Sequence, residues 1–251
     1  MTALERWRLV ESYGSTPVVA MGLDEVLLQA AEARPTLRLY TWEPEALSLG
    51  YFQRFDDVPA ARDVPHVVRR ITGGGAIHHH AGELTFSITA RDDHPLYRGE
   101  VRESYARVHA LLIEALRAAG LGDAFAPSLA SARGGLRSDR GGTGMCFHAS
   151  TPLDVVWGER KGIGSAQRRT GGRVLHHGSI KLSPSALEPD VATALDARVT
   201  LTPRAFGALL RCVFERALDA TFDAAPATAH ELELAAAAGA RYAEQAFVHR
   251  R

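Results

Sequence analysis

The chain has 251 residues, is 46% hydrophobic, and balances 29 basic against 29 acidic side chains. It can therefore bury the core of one α/β domain, and it has no net field to draw it to nucleic acid or to a membrane surface. No apolar run reaches about 18 residues, the charged start of the chain is unlike a secretory leader, and two cysteines in dissimilar surroundings are no disulfide framework, so a cytoplasmic, monomeric protein is expected.

Arg6 to Ser12 alternates as a strand does, and Thr16-Pro17 supplies a cap and a first-turn proline for a helix whose apolar face is Leu23, Val26, Leu27 and Ala30. Strand-like runs follow at Leu37 to Trp42 and Leu47 to Phe52. Val67 to Ile71 and Leu84 to Thr89 flank a glycine cluster, which reads as strand, tight loop, strand. Val108, Leu111, Leu112, Ala115, Leu116 and Ala119 mark a second helix. From Ser131 to Gly144 the sequence SARGGLRSDRGGTG predicts a mobile segment without packing, either a surface connector or a lid delivering the chain to Cys146. An RNA contact of the RGG kind lacks its aromatics there. Leu153 to Trp157, a turn at GERK and Gly162 to Gln167 predict a hairpin, and Val174 to Leu182 a further strand. The last third predicts helix, opened by Thr202-Pro203 and striped by Phe206, Leu209, Leu210, Val213, Phe214, Ala217 and Leu218. With no internal repeat or second boundary, residues 1–251 are expected to form one domain.

Of the basic residues 27 are arginines, so Lys161 and Lys181 stand out. A lysine kept where Arg would otherwise serve suggests a need for a compact ammonium. Cys146 precedes Lys161 by 15 positions, follows glycines that give access, and lies two residues from His148. A lone cysteine is commonly a small buried hydrophobe, but a thiol whose thiolate is held by a nearby cation is a nucleophile, which points to acyl transfer. Cys212 sits roughly 140° from the apolar stripe of its helix with no charge or glycine beside it to activate it. The run RRITGGGAIHHHAGELTFS (Arg69 to Ser87) sets two cations before Gly73, Gly74 and Gly75, more glycine than a hairpin needs, and exposed amides there could meet an oxyanion or phosphate. It matches no Walker A or dinucleotide fingerprint. Of His78, His79 and His80 only the first and third can share a strand face, and no further ligand has zinc spacing, so no metal site is expected. His176 and His177 likewise point to opposite faces, one satisfied in the core and the other toward a site.

The Arg69 to Ser87 run resembles the glycine-rich signature of the biotin/lipoate A/B protein ligase superfamily, and KGIGSAQRRTGGRVLHHGSIKL (Lys161 to Leu182) resembles its second signature. CFHAS at Cys146 to Ser150, GELTFS at Gly82 to Ser87 and GSAQRR at Gly164 to Arg169 are most similar to the ligase-like octanoyltransferases; ligases typically show Asn where Glu83 stands. The family's frequent His-Asp pair appears instead as His79-His80. The resemblance implies a central mixed sheet flanked by helices, with Cys146 and Lys161 catalytic and Arg70, Gly73, Gly74, Gly75, His79, Gly164, Ser165, Ala166, His177 and Gly178 binding substrate. It implies an octanoyl-acyl carrier protein donor, a lysine of a lipoyl domain or glycine cleavage H protein as acceptor, and no cofactor. The acyl chain is expected in a slot walled by Val68, Ile71 and Ile163. An ATP-dependent lipoate ligase, a lipoyl amidotransferase and a silent carrier-binding module are the alternatives.

Overall fold

In this computed structural model the chain is described over residues 4–30, 34–122, 126–131 and 133–251; residues 1–3 of the expected charged start and residue 132 of the glycine-rich segment lie outside them. In chain order the elements are β1 (Glu5–Ser15), α1 (Pro17–Gln29), β2 (Thr36–Trp42), β3 (Ala46–Leu49), β4 (Val67–Arg69), β5 (Ile77–His79), β6 (Glu83–Arg91), α2 (Val101–Ala118), β7 (Ser128–Leu129), β8 (Val155–Trp157), β9 (Arg160–Thr170), β10 (Arg173–Lys181), α3 (Pro203–Leu218), β11 (Ala220–Ala224), α4 (Ala229–Ala243) and α5 (Gln245–Val248). Eight strands form one mixed sheet in the order β11-β1-β2-β6-β10-β9-β8-β7, and β4-β3-β5 form a smaller one.

Strand alternation assigns the two faces. On β2, Leu37 and Leu39 enter the main core with α2 and α3, while Arg38, Tyr40 and Trp42 point to the opposite face. That second face is covered by α1, α4 and the small sheet. Since β2, β6 and β10 are covered on both sides, they are buried almost throughout rather than alternating in exposure. Helices α1 and α4 approach closely enough to require glycine: a Cβ on Gly22 would stand 1.8 Å from the Ala235 carbonyl oxygen, and one on Gly239 would stand 2.0 Å from that of Val18. Thr16 caps α1, its side chain accepting from the Val19 amide at 3.4 Å, as Thr-Pro predicts.

Several expectations need correction. The Leu47 to Phe52 run stops at Leu49, where the chain turns so that Gly50 packs against the glycine cluster. The glycines do not join β4 to β6; β5 intervenes, and the loop links two strands of the small sheet. Arg160 and Lys161 belong to β9, because Gly158 and Glu159 alone, at φ 56° and 59°, make a tight turn with both central residues left-handed. The last third contains a strand, β11, which pairs in parallel with β1. The segment from Ser131 to Gly144 packs more than its composition predicts: Ser138 is fully buried, and the Asp139 carboxylate accepts from the Leu136 and Ser150 amides at 2.8 and 2.9 Å.

Candidate active site

Residues of β9 and β10 that face α1 meet the glycine loop and the short 3-10 turn Cys146–His148 around an inner cavity. Its walls include Arg70, Gly73, Gly74, His79, Cys146, Gly164, Ser165, Ala166, His177 and Gly178, all singled out by the sequence. Gly75 and Lys161 lie on an adjoining outer cleft, which shares Gly73, Gly74, Cys146, Ser165 and Ala166 with the inner cavity. Cys146 therefore sits where the two spaces meet.

Close contacts fix this arrangement. The Cys146 amide donates to the Ala76 carbonyl at 2.7 Å, and the Ala76 amide donates to Gly144 at 2.9 Å. A Cβ on Gly75 would stand 2.8 Å from the Cys146 nitrogen, and one on Gly164 would stand 3.1 Å from its sulfur, so both glycines give the thiol room. Of the three loop glycines only Gly74 requires a positive φ, at 94°. Among the described residues none of the three glycine amides donates to a protein acceptor. Arg70 staples the loop from behind, donating to the carbonyls of Gly73 and Gly75 at 2.8 and 2.7 Å and to Ser48. Its Nη atoms are thus committed to the protein, and burial lowers its pKa to about 10. A trans peptide sets N–H opposite C=O, so holding the Gly73 carbonyl turns the Gly74 amide away from Arg70. Arg69 takes no part; it is buried against Gly50, Gln53 and the α5 carbonyls.

The Lys161 ammonium lies 3.4 Å from the Cys146 sulfur, 2.8 Å from the Cys146 carbonyl, 3.3 Å from the Ala149 carbonyl and 2.9 Å from the Asp154 carboxylate. Burial disfavours the cation, but Cys146 and Asp154 outweigh it and hold Lys161 above its ordinary pKa. Asp154 carried no sequence signal; its position follows from the hairpin, and Thr151 also donates to it, from its amide at 2.7 Å. His148 turns away from Cys146 toward Thr143, at 3.0 Å.

The histidines are held by partners that specify their protons. His79 stacks on Trp42 at 3.8 Å between ring centroids; its Nδ1 meets Glu83 at 2.7 Å and its Nε2 meets Ser48 at 2.8 Å. An ionised Glu83 only accepts, so Nδ1 donates and the Ser48 hydroxyl donates to Nε2. Glu83 thereby supplies the carboxylate that the His79-His80 pair lacks. His177 bridges Asp24 at 2.9 Å and Thr72 at 2.6 Å, tying α1 to the loop; burial raises the Asp24 pKa, but His177 and Arg38 together hold it below its ordinary value. His176 is the core-facing one, and it shares Ser165 with His109 at 2.9 and 2.7 Å. His78 and His80 stack on the same strand face, 5.9 Å apart; no cluster of three or more potential metal-ligating side chains occurs among the described residues.

The slot wall differs from expectation. Met21, Tyr40, Trp42 and Ile77 line the inner cavity, whereas Val68 and Ile71 pack behind it and Ile163 enters the main core. Gly164 faces the cavity, so its strand neighbour Ile163 must face away.

The lipoyl protein ligase A/B catalytic-domain family model matches residues 16–197. The chain belongs to that family. It is similar to Octanoyltransferase LipM of Moorella thermoacetica, 45% identical over 187 residues that cover 71% of this chain and 66% of that protein. LipM of Geobacillus kaustophilus is 38% identical over 188 residues, covering 72% and 66%. The aligned part thus spans about two thirds of the length of these relatives. Among solved structures, a T. acidophilum protein with bound lipoic acid superposes with a TM-score of 0.77 at 21% identity, covering 98% of this chain and all of that one. Lipoate-protein ligase A bound with ATP gives 0.75 at 21%, covering 98% and 99%. These likenesses bear out the mixed sheet flanked by helices. No helix among the described residues is long and apolar enough to cross a membrane.

Proposed function

We propose that this protein transfers an octanoyl group from acyl carrier protein through Cys146 to a lysine of a lipoyl domain or glycine cleavage H protein. The observation that carries this reading is the thiol at the junction of an apolar cavity and an open cleft, 3.4 Å from an ammonium. The acyl tail enters between Met21, Tyr40, Trp42 and Ile77. At about 0.8 kcal/mol per buried methylene, this contributes on the order of 5 kcal/mol.

The Cys146 thiolate attacks the thioester carbonyl, the carbon–sulfur bond to the carrier breaks, and the carrier thiolate leaves and takes a proton in the cleft. The Gly74 amide and its neighbours meet the oxyanion, each such donor being worth ~3 kcal/mol. Lys161 is the counter-ion of the thiolate, and Asp154 orients it. A neutral acceptor amine then attacks the acyl-enzyme, expels Cys146 as thiolate and gives its extra proton to the cleft as the amide forms. The thioester already stores the activation, so the route has no use for ATP.

The LipM relatives support the octanoyl reading. Octanoyl-acyl carrier protein and an apo lipoyl domain, without nucleotide, should yield octanoylated domain, whereas free lipoate with ATP and magnesium should yield little. Pyrophosphate release tracking domain modification, undiminished in Cys146→Ser, would instead make the protein a ligase.

A further inference from the structure

The turn after β3 carries an aromatic and arginine patch that the mechanism above does not use. Phe52 is 66% exposed. Beside it the Arg250 guanidinium lies 3.6 Å over the Tyr51 ring, with Arg168 at 5.7 Å from that ring and Arg251 at 5.4 Å from Phe52. Among the described residues none of these three guanidiniums forms an ion pair with a carboxylate. On a chain of zero net charge this is a local positive field with an exposed aromatic at its centre, and aromatic and Arg side chains are what protein interfaces enrich.

The patch is fastened to the reaction centre. The Tyr51 amide donates to the Thr72 carbonyl at 2.8 Å, Arg168 donates to the Ile71 carbonyl at 3.1 Å, and a Cβ on Gly73 would touch the Phe52 ring at 3.8 Å. It is therefore the outer side of the same glycine loop whose inner side borders Cys146. An acceptor lysine has only a four-carbon stem, so the domain that bears it must rest close to Gly73 and Gly74, which line the outer cleft, for its amine to reach the acyl-enzyme. A donor that presents its thioester on an extended prosthetic arm has no such need.

We infer that Tyr51, Phe52, Arg168, Arg250 and Arg251 seat an acidic face of the lysine-bearing acceptor domain. This rests on the acyl-transfer reading for the identity of the partner and adds where it docks. The opposite charges should steer encounter, so association should weaken as salt rises.

The test uses Arg250→Glu/Arg251→Glu and, because Phe52 is exposed and its replacement leaves the core intact, Phe52→Asp. Binding of an apo lipoyl domain to the unacylated full chain, measured by calorimetry, should weaken at least tenfold in both variants, and the charge-reversed one should lose the salt dependence of the parent. Acyl-enzyme formation from octanoyl-acyl carrier protein and discharge by hydroxylamine should stay within twofold of the parent. Unchanged lipoyl-domain affinity and salt dependence would overturn the seat, as would a loss confined to the donor step. A parent that never forms an acyl-enzyme would sink the transfer reading instead, while the calorimetry would still decide the docking face.

Discussion

Lys161 and Lys181 lie on neighbouring strands and share a neighbour in Phe147, whose ring centroid is 5.6 Å from one ammonium and 4.7 Å from the other. Both are buried and both meet carboxylates, yet their surroundings differ in kind. Lys181 is enclosed between Glu83 at 2.7 Å and Glu188 at 2.9 Å, donates to the His78 carbonyl, and lines neither the inner cavity nor the outer cleft. Burial raises the Glu188 pKa, while Lys181 and His79 hold Glu83 well below the usual carboxylate range against the same burial. Lys161 has one carboxylate and a thiol, and it lines the outer cleft. An ammonium enclosed by carboxylates stabilises the fold, whereas one that spends a contact on a thiol at a cavity mouth can hold a reacting group.

The largest expected effect breaks the reactive side of this contrast. Cys146→Ser should lower transfer by roughly 10³-fold or more with the melting temperature nearly unchanged, because it removes the nucleophile and little volume. Cys212→Ser should leave both rate and melting unaltered, since that thiol is exposed and lines neither the inner cavity nor the outer cleft. Equal losses in the two variants would erase the distinction.

Lys181→Met should instead act on stability. It leaves Glu83 and Glu188 facing each other in the core, and removing one partner of a buried ion cluster typically costs 3–5 kcal/mol. Urea denaturation checks this; a variant as stable as the parent would show that the carboxylates do not depend on Lys181.

Lys161→Arg should lower the rate at least tenfold while retaining most of the stability, since a planar fork keeps the charge but cannot stand at the same point between sulfur and Asp154. Asp154→Asn should give a smaller rate loss of the same kind, seen in kcat more than in KM. Steady-state rates alongside thermal melting separate the two lysines: one variant should be slow and folded, the other unstable.

A separate effect, on stability rather than rate, concerns pH. Burial pushes His109 down to about 4 from the ordinary 6.5, and His78 and His80 likewise to about 4. An unfolded chain binds more protons than the folded one between these values, so the stability due to neutral histidine is complete above pH 6.5 and is lost as pH falls toward 4. For His109 alone that amounts to about 3 kcal/mol. Melting temperature should therefore decline across this window, and His109→Gln should flatten the decline.

Lysine scarcity singled out both centres in the sequence but could not tell them apart, because the difference is made by Glu188 and Asp154, which arrive from loops with no periodic signal. The glycine signature, Cys146 and the strand bearing His176 and His177 were legible, since backbone approach and strand alternation leave marks in local sequence. The slot wall was not: Met21, Tyr40 and Trp42 come from elements far from both signatures, and they reach Cys146 only because α1 crosses the sheet and β2 lies two strands from β10 in it. The extent of the strand bearing Lys161 was misjudged because a two-residue turn at Gly158 and Glu159 leaves two more residues to β9 than a four-residue turn would.

Intact mass spectrometry after mixing the protein with octanoyl-acyl carrier protein tests the account most directly. An adduct of octanoyl mass, released by hydroxylamine, mapped to Cys146, present in Cys212→Ser and absent in Cys146→Ser, is the predicted result. Domain octanoylation at the normal rate by the Cys146→Ser protein, with octanoyl-acyl carrier protein as sole donor, would contradict it.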